Sequence, residues 1–343
     1  MAAHSRTLRA ILWNFVLWLV FFLIAAGLGY STLNRYDPRK QLPDAAAYAQ
    51  LANSGPEAIQ NHFRFRVLTP LLARAVNRFA HGHTGTWDPL TFSFLVVNAM
   101  FVAMTAYVTF KIGSAQLPST SVALFGAALY LLNFAIANLQ LAGLVDAAEA
   151  CFLMAMVASM FRERWALLPV WGVFGALAKE SFVPFSVVMA IAWWIASGKR
   201  KRRGALWIAS MVAAELITIM VLQSAISGKA IWPWDFARAL NSQTGFLTNV
   251  AHSFVDRNSW YILAWLLPLG LADIRRFPRP WVVAVAFGTI TALVLNAYHS
   301  TVGGGGGGIG RYIFDVAGPL LSLSAAAFLS ERLRENTWQG ELD

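Results

Sequence analysis

Asp44 and Tyr48 stand four residues apart in a stretch that begins Pro43-Asp44, a helix-start signature that puts both side chains on one face. A carboxylate there, with Arg35, Arg39 and Lys40 close in sequence, can take a proton from an attacking hydroxyl. From the residues alone, the simpler reading of Asp44 is the structural job of N-cap for the helix that follows. Nearby, Phe63-Arg64-Phe65-Arg66 sets two guanidinium groups beside aromatic rings. Arginine binds phosphate bidentately, so the pair suits a lipid phosphate or pyrophosphate head group; snorkelling to bulk lipid is the simpler alternative.

A second group of charges lies at the ends of apolar runs: Asp146, Glu149, Lys179, Glu180, Arg311 and Asp315. Placing a charge in hydrocarbon costs about 2.5–3.5 kcal/mol on insertion scales, so each is a functional candidate. Together with Asp44, Arg64 and Arg66 they can converge on one outward-facing cavity, and Tyr312 follows Arg311 directly. Asp146 and Glu149 are one helical turn apart, and Lys179-Glu180-Ser181 marks a turn between apolar runs. Pairing of Glu149 with Lys179 to hide charge between helices is compatible with either a structural or a functional role. Glu215 falls in the middle of an apolar run, where a hydrogen-bonded packing role fits best.

Other patterns carry less. The glycine run Gly303 to Gly308, followed by Ile309-Gly310-Arg311-Tyr312, satisfies a dinucleotide-loop spacing trivially, but no strand precedes it. It reads as a linker or a mobile lid. His81-Gly-His83 lacks a nearby carboxylate to complete a metal site, and the single cysteine, Cys151, forms no intramolecular disulfide.

These residues need a membrane to position them. Of 343 residues, 57% are hydrophobic and 13% charged, with mean hydropathy +0.54. A soluble domain carries about 25% charged residues. With roughly 20 apolar residues per span, the candidate spans are 11–30, 89–110, 119–138, 144–161, 166–178, 182–197, 205–226, 259–273, 281–298 and 312–330. The expected fold is therefore an all-α integral membrane protein, a single polytopic domain over 1–343 with about ten transmembrane helices.

The net charge of +10 does not signal nucleic acid, because the basic residues fall in short clusters between apolar runs. With Arg6 and Arg9 inside, parity also places Lys111, Arg162 with Arg164, the run Lys199 to Arg203, Arg275 with Arg276, and Arg332 with Arg334 inside. Both termini are then cytoplasmic. The outside holds 31–87, 227–258 and a Gly-rich loop at 299–311. In the first of these, Asp44 to Ala52 and Pro56 to Arg66 read as helices, and Val67 to Phe79 as an amphipathic helix in the interface, with Arg74 and Arg78 on its polar side. No cleavage site follows the first apolar run, so no signal peptide is expected.

Taken in order, these residues resemble the C-type (GT-C) membrane glycosyltransferases. Asp44-Ala-Ala-Ala-Tyr48-Ala-Gln-Leu-Ala is similar to their early outer-loop aspartate segment, and Phe65-Arg66-Val-Leu-Thr-Pro70 to the arginine–proline segment of many bacterial members. Asp146 opening a span, Lys179-Glu180 in a turn, and Gly310-Arg311-Tyr312 leading to Pro319 follow the same order. A more distant similarity extends to the GPI and protein O-mannosyltransferases. Departures are the lack of an acidic neighbour beside Asp44 and of a soluble C-terminal domain.

The resemblance implies transfer of a hexose or pentose, with inversion, from a polyprenyl-phosphate carrier to an acceptor glycan, lipid or protein at the outer face of a bacterial inner membrane. Asp44 would be the general base. Arg64, Arg66, Lys179 and Arg311 would hold the lipid phosphate, while Tyr48, Asp146, Glu149, Glu180 and Tyr312 would orient sugar hydroxyls or the basic groups. The partners are membrane lipid and a lipid-linked donor; no cofactor or metal is required. The alternatives are a transporter or flippase for a lipid-linked or anionic solute, and a non-catalytic membrane subunit.

Overall fold

The architecture comes from a computed structural model, which describes residues 2–34, 42–59, 62–198, 202–230, 232, 246–299 and 308–339. Among these residues every regular element is helical. Helix α1 (Ala2–Asn34) is followed by α2 (Pro43–Ser54), α3 (Leu68–Ala80) and α4 (Pro89–Gln116). Next come α5 (Thr120–Leu131), a π turn (Ile136–Gln140), α6 (Asp146–Phe161), α7 (Leu168–Ala178), α8 (Phe182–Ala196) and α9 (Arg202–Ser227). The last group is α10 (Phe246–Val255), α11 (Arg257–Leu263), α12 (Leu266–Ala272), α13 (Arg279–His299) and α14 (Gly308–Gln339).

Five of these helices, α1, α4, α9, α13 and α14, are long and apolar enough to cross a bilayer, and α5, α7 and α8 are shorter apolar helices. Such segments satisfy their backbone polar groups internally, as hydrocarbon demands. The chain is an all-helical protein built to sit in a membrane.

Burial separates centre from rim. In the apolar window of α14, 78% of residues are buried, against 11% in that of α1, so α14 is the axis and α1 an outlying helix. α14 packs against α5, α6, α11, α12 and α13, while α4 joins α1, α3, α5 and α6. Small residues permit these close approaches. A methyl group at Gly126 of α5 would meet the Leu323 Cα at 3.0 Å, and one at Gly270 of α12 would meet that of Leu321 at 2.9 Å. At the far end of α6 from Asp146, Phe161 packs edge-on against Trp193 at 4.8 Å and Trp281 at 5.2 Å.

The helical ruler needs three corrections. Within Pro56 to Arg66 the described residues form two short 3-10 turns, Pro56–Ala58 and His62–Phe65, and not the expected helix. The run 119–138 breaks after α5, where Asn133 turns inward to donate to the Ile262 carbonyl and its Oδ1 accepts from the Ala135 amide. The run 259–273 divides into α11 and α12 around Ala264–Trp265, ahead of Pro268.

α2 and α3 form where expected, and Arg74 and Arg78 of α3 are exposed. Its small residues Thr69, Pro70 and Ala73 turn inward, leaving Leu71, Leu72 and Phe79 exposed. Arg35, Arg39, Lys40, Lys199 to Lys201 and Gly303 to Gly307 lie outside the described residues.

Candidate functional site

The charged residues meet at one end of the bundle. Gly143, with φ +83°, makes a left-handed turn that a side chain would strain, and it delivers Asp146 to the first turn of α6. A methyl group there would sit 3.5 Å from the Ala45 Cβ, so the start of α2 rests on this turn. Asp146 and Glu149 face the same way, one turn apart on α6. Opposite them lies the three-residue turn Lys179-Glu180-Ser181 between α7 and α8.

Lys179 Nζ donates to Asp146 Oδ1 at 2.6 Å and to Glu149 Oε2 at 2.7 Å. Ser181 Oγ donates to the other Glu149 oxygen at 2.6 Å. Burial alone would pull the lysine below its usual value, but the two carboxylates hold it above that value, as a fixed cation. Asp146, Glu149 and Lys179 are each exposed by 1% or less, so the trio is sealed from solvent.

The first turn of α14 supplies a second cation. Arg311 Nε lies 3.4 Å from Asp146 Oδ1, a looser approach than that of Lys179, and Nε has no hydrogen-bond partner. The Tyr312 ring carries both cations, with Lys179 Nζ 4.4 Å and the Arg311 guanidinium 5.0 Å from its centroid. One turn further on, Asp315 accepts from Gln140 Nε2 of the π turn at 2.7 Å.

A third cation enters from the segment between α2 and α3. Arg66 Nη1 donates to the Tyr48 hydroxyl at 2.6 Å, and Arg66 Nε donates to Glu180 at 2.8 Å. Arg66 Nη2 completes the fork on the same carboxylate. Burial favours a neutral acid, yet Arg66 overcomes it and holds Glu180 down at about 2. Burial likewise opposes the charge on Arg66, and Glu180 more than restores it. The phenol of Tyr48 is pushed above its usual value, chiefly by burial.

Nine sequence candidates thus gather in one region: Tyr48, Arg66, Asp146, Glu149, Lys179, Glu180, Arg311 and Tyr312 through their contacts, and Asp315 through carboxylate oxygens within 4.8 Å of those of Asp146 and Glu149. Arg64 goes elsewhere, donating to Ser227 Oγ at the end of α9 at 3.1 Å and stacking on Phe65. Asp44 is half-buried and has no hydrogen-bond or ion-pair partner among the described residues. It is not the N-cap: that position falls to Leu42, with Pro43 as first helical residue. Glu215 accepts from Ser186 Oγ at 2.6 Å between α8 and α9, the expected packing role.

Among the described residues the charges expected to line an outward-facing cavity are paired with one another instead. Two cavities, of about 210 Å³ and 250 Å³, lie at the opposite helix ends, beside Arg276 and Arg334 and beside Trp165 and Trp194. Carboxylate oxygens of Asp146, Glu149 and Asp315 fall within 4.8 Å of one another, a spacing that suits a cation. The Lys179 ammonium already bonds two of them.

Gln140 is the member that sequence reasoning missed. Its signal was an amide, two positions after Asn138, inside the otherwise apolar run Ile136 to Leu141. Compared with known proteins, the chain matches no family model, no curated protein and no solved structure.

Proposed function

We propose that the protein is an inverting glycosyltransferase that takes a sugar from a polyprenyl-phosphate carrier at the expected outer face of a membrane. What supports this most is one juxtaposition on α2. Asp44 presents a partly exposed carboxylate, without a partner among the described residues, on the same helix face as Tyr48, whose hydroxyl accepts from the Arg66 guanidinium. A candidate base thereby sits one helical turn from the residue that holds a candidate phosphate-binding cation. Groups that must act on neighbouring atoms of one substrate need such fixed spacing.

In this reading Asp44 removes the proton from the acceptor hydroxyl, whose oxygen attacks the anomeric carbon. The bond from that carbon to the phosphate oxygen breaks, and the lipid phosphate leaves with its negative charge. Arg66 and Arg311 stabilise that charge: Arg311 Nε has no hydrogen-bond partner, and Arg66 offers a forked pair of donors once its carboxylate partner is displaced. Lys179 fixes Asp146 and Glu149, and Tyr312 aligns the two cations beside it. No step calls for a metal. The proposed setting is a bacterial inner membrane crossed about ten times, with α2 and α3 at its outer surface.

A transporter for a lipid-linked anion would use the same cations without an unpaired base. The two readings separate in nanodiscs offered a panel of polyprenyl-phosphate sugars, with wild type beside Asp44→Asn. Sugar release or transfer by wild type alone supports the enzyme; donor binding without turnover in either protein sinks it and favours the transporter.

A further inference from the structure

We infer that Glu180 is an internal stand-in for the anionic ligand: its carboxylate occupies the Arg66 fork until a phosphate group displaces it. The inference rests on reading this end of the bundle as a phosphate-binding site, and adds a mechanism by which the closed site opens.

Three observations carry it. Arg66 donates through Nε and Nη2 to one carboxylate, and this forked geometry is the one a guanidinium uses for phosphate. The two partners also differ in access. The Arg66 side chain is 8% exposed, whereas that of Glu180 is 34% exposed, so the carboxylate has water to swing into and the guanidinium does not.

The surroundings, finally, hold everything but the Glu180 side chain. On one side of it Lys179 is bonded to Asp146 and Glu149; on the other, Ser181 is bonded to Glu149. These contacts pin the backbone of the turn. Arg66 keeps its bond to Tyr48 at 2.6 Å and its seat over the Phe63 ring at 5.0 Å when Glu180 departs. Only side-chain torsions of one residue need change, and the fork is left preorganised for a tetrahedral oxyanion.

An occupied fork lowers apparent affinity by the fraction of molecules in which it is free. Removing the charge of Glu180 therefore tightens phosphate binding. The test uses the full chain in nanodiscs with geranyl phosphate as lipid probe, inorganic phosphate as free anion and geraniol as uncharged control. Glu180→Gln is expected to bind geranyl phosphate about tenfold more tightly than wild type. Glu180→Asp, whose shorter side chain grips less well, should fall between them, and it decides the matter if the glutamine variant does not fold. Arg66→Gln should bind neither phosphate.

Tightening for inorganic phosphate alone also supports displacement, with a free anion as the ligand. Equal affinities in wild type and the Glu180 variants overturn it, as does equal tightening for geraniol. Sugar turnover by wild type with no change of affinity in Glu180→Gln sinks the displacement alone. Tighter phosphate binding without turnover of any sugar donor sinks the transferase and leaves the displacement standing.

Discussion

Lys179 Nζ lies 2.6 Å from Asp146 Oδ1, joining the turn after α7 to the first residue of α6 across 33 positions of sequence. With Glu149 at 2.7 Å on the same ammonium, this contact fixes where α6, α7 and α8 meet.

Breaking that contact should be costly. Lys179→Met leaves Asp146 and Glu149 buried with a missing partner, and loss of one member of a buried pair costs about 3–5 kcal/mol. Thermal unfolding in detergent should show a lowered midpoint, with partial recovery in Lys179→Arg. An unchanged midpoint in the methionine variant would mean that the trio does not hold the bundle.

Asp44 should behave in the opposite way. It has no partner among the described residues to lose, so Asp44→Asn should leave the unfolding midpoint within the scatter of wild type. Transfer should fall by about 10²–10⁴-fold, the usual contribution of a positioned base. Unaltered turnover would remove Asp44 from the mechanism.

Tyr48→Phe deletes the hydroxyl that accepts from Arg66 Nη1 and leaves a buried donor unpaired, at a cost of about 1–3 kcal/mol. Donor affinity should weaken while the fork to Glu180 persists. Titration with geranyl phosphate reads this directly; wild-type affinity in the phenylalanine variant would show that Tyr48 does not orient Arg66.

The Arg66–Glu180 pair sets an acid limit. The carboxylate titrates at about 2 in the folded protein against 4.5 when unpaired, so the folded state favours its ionised form. Its stabilising contribution is complete above 4.5 and is lost as pH falls from there towards 2. The difference in midpoint between wild type and Glu180→Gln should be flat from pH 8 to 5 and shrink below it. A difference that varies between pH 8 and 6 would contradict the pairing.

Much of the helical scaffold was legible in sequence because hydrocarbon enforces one pattern, a long apolar run bounded by polar residues. The failures have local causes. Pro56 to Arg66 carried a good helix start, yet the segment is held by tertiary contacts, chiefly Arg66 to Glu180, that 3-10 turns serve better than a straight helix. The apolar run 119–138 gave no sign that Asn133 would break it to reach the Ile262 carbonyl, because that carbonyl lies 129 positions away. For the site, charge at the ends of apolar runs pointed to nearly every member, since such charges are too expensive to place idly. Which charges pair, and that Arg64 turns to Ser227 while Arg66 turns to Glu180, depends on helix rotations that spacing alone does not specify.

The link between Asp146 and Arg311 spans 165 positions, and that separation has a consequence for synthesis. A ribosome adds about 5–20 residues per second, so Arg311 emerges on the order of 10–30 s after Asp146. Through that interval α6 carries two acids while one of its basic partners does not yet exist. Lys179, which follows Asp146 by only 33 positions and bonds both acids, can neutralise them early, so Arg311 adds its looser contact to a pair already made when α14 packs along the bundle.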